Sequence, residues 1–194
     1  MAVRKSTAQR KKEIVETALE IIFKQGMSSF TMRKLSQKIG ISEAAIYKHF
    51  SSKKEIVNSL VTTFLGENKF YNKIKKYEDP CNTLLEIMKQ QFEHLEKNPK
   101  ITAIIFQNEI FREYPELNKE FVERQNKREE LLTEFLTQEQ KKGNVSPEAD
   151  PQKLALIYMG SIQISIMRWK NHDFSYSLVQ EAEAVMKTLV PIIK

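Results

Sequence analysis

Hydrogen-bond donors and positive charges cluster at one point of the sequence, at the end of the stretch GISEAAIYKHF over residues 40–50. Tyr47, Lys48 and His49 are consecutive there, and Lys53 follows after a short serine-containing interval. Hydroxyl, ammonium and imidazole groups are donors of the kind that bind the phosphate oxygens of a nucleic-acid backbone. The stretch therefore predicts contact with a polyanion.

Positive charge is concentrated in the same part of the chain. Residues 1–54 contain 12 Lys or Arg and 4 Glu, a net charge of +8, whereas the other residues contain 19 basic and 21 acidic residues, a net charge of −2. A basic first quarter beside a nearly neutral remainder is typical of a head that binds nucleic acid. A solvated, lysine-rich surface would produce the same counts, so charge alone leaves both interpretations open.

Two short amphipathic helices must position these side chains. The first is expected to be capped by Thr31 and to end at Gly40, and the second is expected to be capped by Ser42. Neither is long enough to be stable alone in water, so apolar residues must lock the two together. The inward-facing residues expected are Leu35, Ile39, Ala45, Ile46 and Phe50. Two short helices joined by a glycine-containing turn form the helix-turn-helix pattern, whose second helix lies in the DNA major groove.

The rest of the chain predicts helices and no strands. Only 5 Gly and 6 Pro interrupt the 194 residues, and no alternating run of Val, Ile and Thr indicates a strand. A first helix is expected from Thr7 to Gln25, and a single sixth helix is expected over KITAIIFQNEIF. The pattern predicts an all-α fold of about nine helices, with a three-helix head and basic tail over residues 1–54 and a larger helical domain over residues 55–194.

Several classes of function lack the residues they would need. The single cysteine, Cys81, excludes an intrachain disulfide framework and fits a reducing compartment. No apolar run is long enough for a membrane span. The three histidines are scattered, and no catalytic, metal-binding or nucleotide-binding motif occurs. We therefore expect a cytoplasmic protein that is not an enzyme and has no metal, cofactor or membrane partner. An enzyme and a membrane-surface protein remain rival classes that salt-dependent, sequence-specific DNA binding would exclude.

Over about residues 14–61 the chain resembles the TetR-type (TetR/AcrR) transcriptional regulators. The residues that carry the resemblance are Gly26, Thr31, Gly40-Ile41-Ser42, Tyr47-Lys48-His49-Phe50 and Ser52-Lys53. Ala44 departs from the pattern, because the family often has Gly there. The resemblance implies a dimeric repressor that binds a near-palindromic DNA operator and is released by a small-molecule effector of unknown identity. The alternative is a DNA-bound adaptor of the same fold, which recruits a protein partner without an inducer.

The resemblance also implies contacts with DNA for individual residues. They are Thr31, Met32, Arg33, Ser42, Glu43, Ala44, Ala45, Tyr47, Lys48, His49 and Lys53. Residues 31–33 are expected to meet the backbone or the bases from the first helix of the pair. Tyr47, His49 and Lys53 are expected to bind phosphates, whereas Lys48 and residues 43–45 are expected to face base edges.

Two of these assignments, and the role of the N-terminal tail, have alternatives. Glu43 can accept a hydrogen bond from cytosine, but an acid near a helix N-terminus also stabilises the helix dipole. His49 can instead be a packed core residue. The tail over residues 1–12 can be disordered or can enter the minor groove as an arm.

The resemblance assigns ligand binding and dimerisation to residues 55–194. A homodimer is expected through the last two helices, where Gly160 and Ser161 permit close approach, although these helices can also be ordinary core. A small-molecule pocket is expected among helices five to eight, although each single candidate residue can instead be ordinary core. The candidates are Met88, Phe92, Ile105, Phe106, Glu109, Phe121, Gln125, Tyr158, Ile162 and Met167.

Overall fold

The computed structural model describes residues 5–65, 79–106 and 108–194, without the side chains of residues 64, 65, 108 and 109. Ten α-helices and no β-strand occur in this part of the chain, so the predicted all-α fold is confirmed. The helices are α1 (Thr7–Gln25), α2 (Met32–Ile39), α3 (Glu43–Tyr47), α4 (Lys53–Leu65), α5 (Pro80–Lys97), α6 (Thr102–Ile105), α7 (Asn108–Glu113), α8 (Pro115–Lys141), α9 (Pro151–Asn171) and α10 (Leu178–Ile193).

Local hydrogen bonds set the ends of α2 and the start of α3 as predicted. Thr31 Oγ1 accepts the Lys34 N–H at 3.1 Å, and Ser42 Oγ accepts the Ala45 N–H at 3.1 Å. Gly40 closes α2 with a left-handed φ of +78°, a backbone conformation that costs glycine little. These caps satisfy N–H and C=O groups that short helices would otherwise leave unpaired.

The prediction of one sixth helix is wrong. The segment forms a 3-10 turn over Pro99–Ile101, followed by α6 and then α7. The run from Ile101 to Ile105 is rich in β-branched residues, which lose side-chain freedom in a helix and weaken it. The described segment therefore contains two short helices where one longer helix was expected.

The described chain divides into two compact units. The first contains residues 5–65 and 100–120, and the second contains residues 79–99 and 121–194. The domain boundary expected between residues 54 and 55 stays a prediction. The first compact unit continues beyond residue 54 and also includes the distant segment 100–120. The helix α8 contributes its first turns to the first unit and the remainder to the second.

The core of the first unit surrounds the two short helices. Its members come from α1 to α4 and also from α6, α7 and the start of α8. Fully or nearly fully buried members include Ile14, Ala18, Ile22, Phe30, Leu35, Ile46, Phe50, Ile56, Val57, Leu60, Ile104, Ile110 and Leu117. Because α2 and α3 are too short to be stable alone, this shared burial is what holds them at a fixed angle.

In the second unit, α5 packs against α10, and α9 lies beside both. The buried Tyr158 hydroxyl of α9 donates to the Leu84 carbonyl of α5 at 2.7 Å. Glu96 of α5 accepts hydrogen bonds from Ser177 Oγ at 3.0 Å and from the Val179 N–H at 3.1 Å. The Glu96 hydrogen bonds join the N-terminal end of α10 to α5, and the Tyr158 hydrogen bond joins α9 to α5.

A carboxylate links α1 to α2 and leads to a testable pH dependence. Glu20 Oε1 lies 2.8 Å from Lys24 Nζ and 3.2 Å from Lys38 Nζ. Hydrogen bonds from Lys24 and then Lys38 lower the pKa of Glu20 to about 2. Because this pKa lies below its unfolded value, the pairs stabilise the fold fully above about pH 4.5 and lose that effect as the pH falls towards 2.

We expect Glu20→Gln to lower the free energy of unfolding by up to about 1 kcal/mol at neutral pH, the size typical of partly exposed ion pairs. Urea unfolding of the wild type and the variant across the acid range would measure the difference, which should shrink with the pH. Glu16→Gln is the control, because its pair with Lys12 spans 3.8 Å between well-exposed side chains. A Glu20→Gln difference that stays constant down to low pH would contradict this assignment.

Candidate nucleic-acid interface

The short helix α3 has one buried side and one exposed side. Ile46 is 0% exposed and Phe50, just beyond the helix, is also buried, so these two residues anchor α3 in the core. Tyr47 is 48% exposed, and Lys48 and Ala44 are exposed beside it. A helical backbone places residues 44 and 48 on the side away from Ile46, with residue 47 beside them. This exposed side offers a hydroxyl and an ammonium group to a ligand outside the protein.

The other residues expected on this surface differ in their exposure. Thr31, Arg33 and Ser42 are exposed, and the hydroxyls of Thr31 and Ser42 also serve as helix caps. Met32 is only 9% exposed and belongs to the core, so its side chain does not share the surface. Ala45 is half-buried, as expected for a residue at the edge of the α3 anchor.

His49 lies at the margin between surface and core. The residue is half-buried, and within the described chain its Nδ1 atom is buried without a hydrogen-bond partner. Both interpretations of His49, a phosphate contact and a packed core residue, therefore stay predictions.

The N-terminus of α4 lies next in sequence and carries two lysines. Glu55 accepts hydrogen bonds from the Ser51 N–H at 2.6 Å and from Ser51 Oγ at 2.8 Å, which fixes the chain entering the helix. These two hydrogen bonds lower the pKa of Glu55. Lys53 Nζ lies 5.5 Å from the centroid of the Phe30 ring, an arrangement that favours a cation. The first turn of α4 thus carries two lysine ammonium groups next in sequence to α3.

Sequence reasoning missed three residues near this surface. Lys11 of α1 places its Nζ 5.1 Å from the centroid of the Phe50 ring, which adds a cation beside α3. Glu113 and Glu116 pair with Lys53 and Lys54 at 3.3 Å and 2.6 Å. No sequence pattern could have indicated these pairs, because the partners are about 60 residues apart and follow no periodicity.

The residues expected to form a small-molecule pocket are divided between the two units. Ile105 and Phe106 belong to the first unit and are half-buried. The side chain of Glu109 lies outside the described part of the structure. The remaining candidates, Met88, Phe92, Phe121, Gln125, Tyr158, Ile162 and Met167, belong to the second unit.

Within the second unit the pocket candidates differ in environment. Met88 and Phe92 are fully buried on α5, and Tyr158 and Ile162 are buried on α9, so their burial fits a pocket lining and ordinary core equally well. Phe121 and Gln125 are half-buried on α8. Met167 is exposed on α9. The pocket therefore stays a prediction. Met167 fits it least well, because its side chain is exposed and a pocket lining would enclose it.

An open groove of about 480 Å³ occurs elsewhere in the second unit. Residues from the start of α9, the loop before it and the end of α10 line the groove, and they include Asp150, Lys153, Ile157 and Ile192. None of the expected pocket residues lines it. Among the described residues, no three His, Cys, Asp or Glu side chains are grouped so as to hold a metal ion. In the same residues no helix has both the length and the apolar character needed to cross a membrane.

Comparisons with known proteins agree with this architecture. The chain matches the family described as "Bacterial regulatory proteins, tetR family" over residues 14–60. It matches the family described as "YsiA-like protein, C-terminal region" over residues 43–191. The nucleoid occlusion factor SlmA of Aliivibrio fischeri is 30% identical over 177 residues, which cover 86% of this chain and 87% of SlmA.

Two solved structures share the fold. FadR from Bacillus subtilis, in complex with stearoyl-CoA, has a TM-score of 0.73 and 20% identity, with 94% of this chain and 99% of FadR covered. AibR, in complex with isovaleryl coenzyme A and operator DNA, has a TM-score of 0.75 and 21% identity, with 94% of this chain and 98% of AibR covered.

The chain therefore belongs to the TetR family of bacterial regulatory proteins. It is a DNA-binding transcriptional regulator, and the resemblance found in residues 14–61 is confirmed.

Proposed function

We propose that this regulator is a repressor that binds a near-palindromic operator as a homodimer and is released by a small-molecule effector. It acts in the cytoplasm, where bacterial operator DNA lies. The observation that carries the proposal is the exposed face of α3, on which Tyr47 and Lys48 project away from the buried Ile46. A helix that binds in the major groove needs this arrangement, with one side anchored in the protein and hydrogen-bond donors on the other side.

The dimer is supported by an apolar stripe along α9. Leu156, Ile157, Ile164 and Met167 are 54%, 47%, 51% and 38% exposed, and helical spacing places them on one side of the helix. Gly160 lies within this stripe, and a Cβ built there would meet nothing within 4 Å, which leaves room for a second helix. Soluble proteins rarely leave such a contiguous apolar surface uncovered. A second copy of the chain, packed by two-fold symmetry, would cover it.

The helix α10 would complete this interface, as expected for a dimer formed through the last two helices. Its exposed residues are mixed, because Ala184, Pro191 and Ile192 are apolar whereas Lys187 and Thr188 are polar. In the proposed interface α9 therefore supplies the larger exposed apolar side chains, and α10 packs beside it.

The effector would bind in the second unit and change the separation of the two heads of the dimer. Two half-sites demand recognition helices roughly 34 Å apart, one turn of DNA, so a small change in that separation lowers affinity. The effector can shift the equilibrium between the DNA-binding state and the released state only by as much as its affinities for the two states differ. FadR and AibR share the fold and were solved with acyl-CoA molecules, which makes acyl-CoAs of different chain length the first effectors to test.

A DNA-bound adaptor is the second candidate function. The observation that favours it is the similarity to SlmA, which is named a nucleoid occlusion factor, over most of both chains. A repressor would release its duplex when the effector is added. An adaptor would stay on the duplex under the same conditions and would retain a protein partner there.

Selection of bound duplexes from a random pool, followed by sequencing, tests the proposal. We expect enrichment of a palindrome whose half-sites are centred about one DNA turn apart. Adding acyl-CoAs to the complex with the enriched duplex then separates the repressor from the adaptor. Binding without enrichment that disappears with modest salt would contradict the proposal, because it would show a non-specific polyanion binder.

Two neighbouring substitutions separate phosphate contacts from base contacts. Tyr47→Ala is expected to weaken binding to all duplexes by a similar factor, because a phosphate contact carries no sequence information. Lys48→Ala is expected to weaken binding and also to change base preference, with about 1–3 kcal/mol of discrimination lost at one position of each half-site. Repeating the selection with each variant measures both effects. Uniform weakening by both variants would refute the assignment of Lys48 to a base edge.

A further inference from the structure

Two lysines at the start of α4 are paired with carboxylates of the protein itself. Lys53 Nζ lies 3.3 Å from Glu113 Oε1, and Lys54 Nζ lies 2.6 Å from Glu116 Oε1. Both acids belong to the segment 100–120, which lies in the same compact unit as the lysines. The two ion pairs are therefore internal contacts of the unit that carries the candidate DNA surface.

The carboxylate of Glu113 is held in place by its neighbour. The Tyr114 hydroxyl donates a hydrogen bond to Glu113 Oε1 at 2.8 Å, the same oxygen that faces Lys53. Tyr114 is buried in the core of the first unit, and this burial, together with the hydrogen bond to Glu113, raises the pKa of Tyr114. The hydroxyl therefore keeps its proton and orients the carboxylate towards Lys53.

The second pair is more exposed but shorter. Glu116 lies in the first turn of α8, and the hydrogen bond from Lys54 is the main cause that lowers the pKa of Glu116. Both members have side chains about half exposed, so water and external anions can reach them. An ammonium group uses the same donors for a carboxylate oxygen and for a phosphate oxygen. Each lysine can therefore exchange its internal carboxylate for a DNA phosphate.

We propose that Glu113 and Glu116 hold Lys53 and Lys54 in the DNA-free protein and are replaced by DNA phosphates on binding. The proposal rests on the DNA-binding surface proposed above. Under it, the two acids lower the affinity for DNA without touching DNA, because each pair must be broken before the lysine can serve a phosphate. The released carboxylates also take up cations, which reduces the net number of counterions set free when the complex forms.

The test compares four proteins on two duplexes. The proteins are the wild type, Glu113→Gln/Glu116→Gln, Lys53→Gln/Lys54→Gln and the variant that combines all four substitutions. The duplexes are the one recovered by the selection and a shuffled duplex of the same length. Binding is measured by fluorescence anisotropy between about 50 and 200 mM salt, the range in which phosphate contacts dominate.

We expect Glu113→Gln/Glu116→Gln to bind both duplexes about 3- to 10-fold more tightly at the lowest salt, the size expected for two exposed ion pairs. The slope of log affinity against log salt concentration should become steeper. The increase should correspond to at most about two additional counterions released on binding. In the background of Lys53→Gln/Lys54→Gln the gain should disappear, because the acids then hold no phosphate-binding cation.

A matched control separates this exchange from a general change in charge. Glu134→Gln/Glu148→Gln removes the same two charges from exposed positions of the second unit and should change the affinity little. Equal or weaker binding by Glu113→Gln/Glu116→Gln would overturn the proposal, and so would a gain that persists without the two lysines. A wild type that binds neither duplex would instead defeat the proposed function. Thermal unfolding of each variant verifies that all of them fold.

Discussion

Replacement of Ile164 by Glu is expected to convert the dimer to a monomer and to weaken operator binding at least about 100-fold. Ile164 is about half exposed at the centre of the apolar stripe on α9, where a second copy of the chain is proposed to pack. Two-fold symmetry would bury the new carboxylate twice in a mainly apolar interface. A monomer holds only one recognition helix, so it loses the contribution of the second half-site.

Sedimentation equilibrium measures the oligomeric state, and fluorescence anisotropy with the selected duplex measures the loss of affinity. Val122→Glu is the matched control, because it places the same charge on an exposed apolar side chain of α8. Ile164→Ala should give an intermediate dissociation constant for the dimer. If Ile164→Glu remains a dimer at the concentrations at which the wild type does, the α9 interface is wrong.

The second large effect is expected for Ile46→Ala, which should lower the free energy of unfolding by about 2–5 kcal/mol. Ile46 is 0% exposed and belongs to the core formed by α1 to α4 and the segment 100–120. The helix α3 has only five residues, so tertiary burial rather than its own hydrogen bonds keeps it folded. Removing this anchor should also loosen Tyr47 and Lys48, and DNA affinity should fall with stability.

Urea unfolding and amide hydrogen exchange measure the two consequences separately. Ile41→Ala is the control, since it deletes the same atoms from a half-buried side chain of the same unit, and it should cost clearly less. Exchange in residues 43–50 should accelerate more than exchange in α1. A loss of stability in Ile46→Ala no greater than that in Ile41→Ala would show that α3 is anchored by other contacts.

The ends of the short helices could be predicted because they depend on neighbouring residues. Thr31 and Ser42 cap their helices through N–H groups three positions later, and Gly40 supplies the left-handed residue that ends α2. The side of α3 that is buried could also be predicted, because helical spacing places Ile46 opposite Lys48. Interactions within one turn leave a pattern of residue types that is visible in the sequence.

The position of Met32 shows a limit of the resemblance. Its motif implies contact with DNA for the segment Thr31–Arg33, but the Met32 side chain lies in the core. Arg33, one position later, is exposed. A shared motif identifies the segment near DNA, whereas the phase of the helix decides which of its side chains can reach it.

By itself the sequence determined the all-α fold, the helix-turn-helix and the family of regulators, because local caps, helical periodicity and the motif around Tyr47 lie in short stretches. Only the tertiary structure decided that residues 100–120 join the first unit and that Glu113 and Glu116 pair with Lys53 and Lys54. It also decided which face of α9 stays exposed. These features depend on packing between distant segments, and an ion pair between partners about 60 residues apart leaves no periodic signal in the chain.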